Sequence, residues 1–107
     1  MIPDRIRALN DAFRTSFSGG RVLLSASVAE LPACVKAEAL HQVASFRDFT
    51  PDNDPHGEHD FGNFELVGRR FFWKVDYYDA ECCSGSEDPS DDTQTTRVLT
   101  LMLAEDY

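Results

Sequence analysis

Hydrophobic residues recur along this chain in two periods, and the switch between them separates helices from strands. Ile2, Ile6, Leu9, Phe13 and Phe17 follow one another at steps of four, three, four and four, which marks one face of a helix. Pro3 suits the first turn, where a missing N–H costs nothing, and Gly19-Gly20 supplies a left-handed residue to end the helix. Arg5, Arg7 and Arg14 are expected mainly away from the buried stripe. Residues 21–26 read as a short strand around Val22, Leu23 and Leu24. Ser27 and Glu30 match a capping box. A second long helix is expected from Pro32, burying Val35, Ala39, Leu40, Val43 and Phe46, with His41 at its surface.

Alternation takes over further on. Residues 61–67 and 70–79 predict a hairpin around Gly68. In its second strand Phe71, Trp73, Val75 and Tyr77 form the core-facing set, while Phe72, Lys74, Asp76 and Tyr78 point the other way. Residues 97–103 predict a last strand. Between these elements, residues 47–60 are dense in turn formers, and 80–95 have the composition of a mobile loop. The order α-β-α-β-β-β predicts an α+β fold. Its form is a four-stranded, mainly antiparallel sheet with two helices packed on one face, in a single domain over 1–107.

Composition changes this picture little; charge changes it more. No apolar run approaches the ~18 residues of a membrane span, and the first residues lack the apolar stretch of a signal peptide, so a cytoplasmic protein is expected. Cys34, Cys82 and Cys83 are an odd number without a disulfide spacing, in keeping with a reducing compartment. Cys82 and Cys83, being adjacent, read as reduced thiols near a strand end, with a vicinal disulfide as the alternative. Residues 1–47 hold four acids and six bases, net +2, whereas residues 48–107 hold fifteen acids and four bases, net −11. No Lys or Arg occurs between Asp48 and Glu65 or between Val75 and Thr96. Such a field repels phosphate backbones and attracts basic protein surfaces.

Two clusters are candidates for chemistry. In residues 52–60, His56, His59 and Asp60 are weak candidate metal ligands, since imidazole and carboxylate are good donors. The histidines are three apart in a loop, which is not the HExxH arrangement, and an EF-hand pattern fails at His56 and Asn63. The plain alternative is a rigid turn in which Asp and Asn side chains bond nearby backbone. His59 with Asp60 or Glu58 would make a general acid–base pair, but no nucleophile elbow, phosphate loop or dinucleotide fingerprint accompanies it. No catalytic residue and no cofactor is therefore assigned. The second cluster is the strand end at 73–79, where Tyr78 beside Asp76 suits a basic protein partner.

These residues also carry a resemblance. Residues 49–62, FTPDNDPHGEHDFG, together with 72–79, FWKVDYYD, and 97–103, RVLTLML, resemble the blocks of a bacterial family, domain of unknown function 3768. The resemblance implies an accessory protein of plasmids and integrated elements in alphaproteobacteria, and it implies no catalytic residues. By analogy of size, charge and setting, the expectation is a small acidic, non-enzymatic inhibitor, anti-CRISPR-like, that blocks a basic nucleic-acid-binding partner such as a Cas effector. The expected contact residues are Asp52, Asp54, Glu58, Asp60, Asp76, Tyr78, Asp79 and Glu81. A metal-dependent or acid–base enzyme centred on 52–60, and a regulatory partner of another mobile-element protein, stand as alternatives. No membrane and no direct nucleic-acid contact is expected, and the oligomeric state is left open.

Overall fold

The computed structural model describes residues 3–107; Ile2, the first member of the helical stripe, lies outside them. The elements are α1 (Pro3–Ser16), β1 (Gly20–Leu24), α2 (Ala26–Ala29), α3 (Ala33–Ser45), β2 (Phe61–Leu66), β3 (Arg69–Asp79) and β4 (Thr95–Leu103), closed by a 3₁₀ turn, Ala104–Asp106. One sheet of order β1-β4-β3-β2 results. β2–β3 and β3–β4 are antiparallel and β1–β4 is parallel. The fold is thus α+β with a mixed, mostly antiparallel four-stranded sheet, and α1 and α3 pack on one face of it.

Strand alternation sorts the two faces. Towards the helices point Val22 and Leu24 of β1, Phe64 of β2, Phe71, Trp73 and Val75 of β3, and Leu99, Leu101 and Leu103 of β4. There they meet Phe13, Val28, Ala39, Val43 and Phe46. Trp73 and Phe71 are fully buried, and Phe71 stacks on Phe64 across the β2–β3 pair. Opposite lie Arg21, Leu23, Phe61, Phe72, Lys74, Asp76, Tyr78, Val98, Thr100 and Met102, over which no helix packs.

Several local expectations need correction. α1 ends at Phe17, which itself takes the left-handed conformation (φ 56°) and returns its N–H to the Phe13 carbonyl, so Gly19 comes after the cap and does not form it. The short helix α2 is capped by Ser25, whose hydroxyl accepts from the Val28 N–H, and the Ser27–Glu30 capping box is not formed. The box failed because Ser27 is already inside the helix and bonds Asp106. Arg14 is not on the outer side of α1; it is 4% exposed. Its Nη1 donates to the carbonyls of Val43, Ala44 and Phe46 where α3 ends, of which Val43 also accepts the Phe46 N–H.

The β2–β3 turn is a two-residue hairpin loop in which Val67 (φ 47°) and Gly68 (φ 75°) both take positive φ, the signature of a type I′ turn. Residues 80–95, whose composition suggested a mobile loop, are laced with local hydrogen bonds. Asp79 accepts from the Cys83 N–H and the Ser84 hydroxyl, Asp88 from Ser90, and Asp91 from Thr93 and Gln94, while Tyr78 and Gly85 form an isolated bridge. The polar residues that made the segment look disordered are the ones that tie it down.

Gly62 is the tightest point of the sheet. A Cβ there would sit 2.5 Å from the Trp73 indole nitrogen. Gly62→Ala should therefore cost about 1–3 kcal/mol by overpacking, read as a lower urea midpoint at unchanged slope. An unchanged midpoint would mean that Trp73 does not lie over this glycine.

Candidate functional site

Where α1, the 47–60 loop and the ends of β3 and β4 meet, the molecule holds two linked polar clusters. In the deeper one, Arg97 of β4 is 1% exposed. Its Nε donates to Asn10 Oδ1 at 2.7 Å, its Nη2 donates to the Pro89 carbonyl, and its guanidinium lies 5.4 Å from the centre of the Tyr77 ring. Asn10, also fully buried, uses its amide to donate to the Glu58 carbonyl (3.0 Å) and to the Tyr77 hydroxyl (2.7 Å). The Tyr77 hydroxyl in turn donates to Glu58 Oε1 at 2.7 Å. Burial, and then the bond to Glu58, push the Tyr77 hydroxyl far above its ordinary range, so it stays a donor. Desolvation lowers the Arg97 pKa, yet a guanidinium starts so high that it stays charged.

The shallower cluster is built on His59. Its Nδ1 lies 3.0 Å from Asp11 Oδ1, its Nε2 lies 3.6 Å from Asp54 Oδ2, and its ring stacks on Phe49 with centroids 3.7 Å apart and planes within 1°. Asp54 also accepts the His59 N–H, an i+5 bond that closes the turn. Asp11 in turn bonds Arg14. His59, Asp11, Arg14, Phe46, Phe49 and Arg47 border an open cavity of about 370 Å3.

The expected contact residues fall into separate places. Asp54, Glu58 and Asp60 are drawn into the α1 side of the molecule: Asp54 is 9% exposed, Glu58 is held by Tyr77, and Asp60 is half-buried. Asp52 stays exposed. Asp76 and Tyr78 lie on the opposite, helix-free face, where Asp76 pairs with Lys74 at 3.0 Å. Asp79 and Glu81 line a third place, a hollow of about 390 Å3 in the β3–β4 loop, where Glu87, Thr93 and Gln94 join them. Seven of the eight residues thus divide among three places, and Asp52 stands apart from them.

The weak metal candidates likewise part company. His56 is exposed, His59 turns to Asp11 and Asp54, and Asp60 faces Glu58. Among the described residues no group of three His, Cys, Asp or Glu side chains lies close enough to share an ion. The acid–base partner of His59 is neither Asp60 nor Glu58 but Asp11, 48 residues earlier, and both ring nitrogens face carboxylates. Cys34, Cys82 and Cys83 are all free thiols.

The stretch from Leu24 to Asp106 decides the kinship, because the profile of one family matches residues 24–106. The chain belongs to the family described as Protein of unknown function (DUF3768). No curated protein and no solved structure matches it. The family's span takes in the 47–60 loop, β2, β3 and β4, and therefore Glu58, His59, Tyr77 and Arg97. Their partners Asn10, Asp11 and Arg14 lie before its start. No described helix is long and apolar enough to cross a membrane.

Asp60 gives the pH test of this site. Burial, then the neighbouring Glu58, raises its carboxyl above the ordinary 3.8. A carboxyl harder to ionise when folded weakens the fold at neutral pH, and that penalty is gone below the ordinary value, where both states are protonated. Asp60→Asn should therefore raise the urea midpoint at pH 7, and the difference from the parent should close by about pH 3.5. A variant less stable at pH 7 would place the carboxylate in a favourable contact instead.

Proposed function

We propose that this protein is a non-enzymatic binder that covers a basic protein surface, of the kind that otherwise holds nucleic acid. The observation that carries the reading is the hollow of the β3–β4 loop. Asp79, Glu81 and Glu87 border it, and no Lys or Arg does. Asp91 and Asp92 lie in the same loop, within the base-free run between Val75 and Thr96.

The charge there is persistent. The Cys83 N–H, with the Ser84 hydroxyl, holds the Asp79 carboxyl below its ordinary range, and Thr93 does the same for Asp91. Their bonds also fix the carboxylates in place, so little ordering entropy is lost when a partner docks. A Lys or Arg side chain entering the hollow would exchange water for several acceptors, with the acidic field speeding its approach. The net charge of −9 makes a phosphate backbone the wrong ligand. An RNA-guided Cas effector, whose guide and target duplex sit in a positively charged channel, is the first partner to test.

The experiment is DNA cleavage by purified effectors with increasing amounts of this protein at about 50–300 mM salt. Inhibition that weakens as salt rises is expected. Glu81→Gln with Glu87→Gln, at two exposed positions, should slow association about 3–10-fold at low salt. No inhibition at any salt, together with no salt-sensitive complex, would refute the reading.

A further inference from the structure

The helix-free face of the sheet is a different surface, and it has a self-complementary layout. Across β1, β4 and β3 the register sets Arg21, Val98 and Asp76 in one row, and Leu23, Thr100 and Lys74 in the next. Val98 and Met102, with Thr100 between them, form the floor of a groove of about 550 Å3. Leu23, 52% exposed, stands on one wall, and Tyr78, Lys74 and Asp76 stand on the other. Beyond the groove Phe61, Phe72 and Tyr107 make an aromatic cluster with centroids 5.4–6.1 Å apart. Asp76 is paired with Lys74, whereas Arg21 has no ion-pair partner among the described residues.

We propose that this face seats a second copy of the chain, related by a two-fold axis running along β4. Turning the face over about that axis exchanges the β1 and β3 sides and leaves each row at its own height. Arg21 of one copy then meets Asp76 of the other, and the reverse contact forms on the far side. Leu23 meets the aliphatic stem of Lys74, while Thr100, half-buried between the buried Val98 and Met102, meets its own counterpart. An isologous contact requires this: opposite charges on one patch, at equal heights, on either side of an apolar centre. Each Asp76 would then lie between its own Lys74 and the other copy's Arg21, so the unpaired cation is satisfied.

Size and charge set the strength. With the axis along β4, the strands β1, β4 and β3 overlap and β2 does not. Three strands about 4.8 Å apart and up to about 30 Å long cover on the order of 400 Å2 per copy. That is about half of the roughly 800 Å2 per partner of a standard interface. Two copies of net charge −9 also repel at long range. The dimer should therefore form at micromolar or higher concentration and tighten as salt screens the repulsion. Binding to a basic partner has the opposite salt dependence, so failure of either reading is separable from failure of the other.

Sedimentation velocity from about 5 to 500 µM at about 50 and 300 mM salt is the test. A monomer–dimer equilibrium that shifts towards dimer with salt is expected. Arg21→Asp alone and Asp76→Arg alone should each weaken self-association at least about tenfold. Mixing the two should restore a heterodimer, because both cross-axis pairs then have opposite charge. A second readout is Thr100→Cys in a Cys34→Ser, Cys82→Ser, Cys83→Ser background, which should cross-link to itself on oxidation. A chain that stays monomeric throughout would overturn the proposal, as would a dimer with no recovery on mixing and no cross-link in the Thr100→Cys variant.

Discussion

Everything on the α1 side of this molecule is arranged around a buried guanidinium. Placing a charge in the interior costs several kcal/mol unless its donors are met. Arg97 meets most of that demand with Asn10 from the first helix, a carbonyl from the β3–β4 loop and the face of Tyr77, while its Nη1 has no hydrogen-bond partner among the described residues. Its nearest described carboxylate, Asp92, is 3.8 Å away and largely exposed, so neutral dipoles supply most of the compensation. One side chain on a central strand thereby fixes where α1 crosses, where residue 89 turns, and which way Tyr77 points. Because Asn10 has donors left over, the Glu58 backbone and the Tyr77 hydroxyl are fixed as well, and the 47–60 loop follows.

That dependence divides the acidic residues by purpose. Asp11, Asp54 and Glu58 are spent inside the protein, on His59, Arg14 and Tyr77. Glu81 and Glu87 face water across the β3–β4 loop, and the flanking carboxylates of Asp79 and Asp91 are held in place by local hydroxyl and N–H donors. Two tracts of nearly the same composition thus play opposite parts, one internal cement and the other external charge. The hairpin at Gly68 separates them in sequence, and although the β3–β4 loop also touches α1 through Ser90, its hollow is lined by none of the 47–60 residues.

How much of this was legible depends on the range of the interaction. The stripe Ile6, Leu9, Phe13, the alternation through Phe71, Trp73 and Val75, and the hairpin at Gly68 are local signals, and strands and helices formed where those signals lie. Arg14 and Asn10 look like ordinary polar positions of an amphipathic helix, because the carbonyls of α3 and the Arg97 side chain that bury them come from 29 to 87 residues away. His59 invited pairing with its neighbours Glu58 and Asp60, but its positive φ (54°) turns it towards Asp11. A lone Arg at 97 in an otherwise uncharged strand was the one available sign of a buried polar centre. The order of residues 80–95 stayed hidden because Ser, Thr and Asp serve disorder and dense turn bonding equally well.

Asn10 and Arg97 stabilise the fold as a pair, and a double-mutant cycle tests that coupling. Asn10→Leu, Arg97→Met and the double variant would be compared by urea unfolding, with the slope checked for two-state behaviour. Each single change leaves a buried polar group without its partner and should cost about 2–4 kcal/mol. The double change removes both groups together and should cost at least about 1 kcal/mol less than the sum of the singles. Strictly additive losses would contradict the account, since they would mean that the two residues stabilise the protein independently.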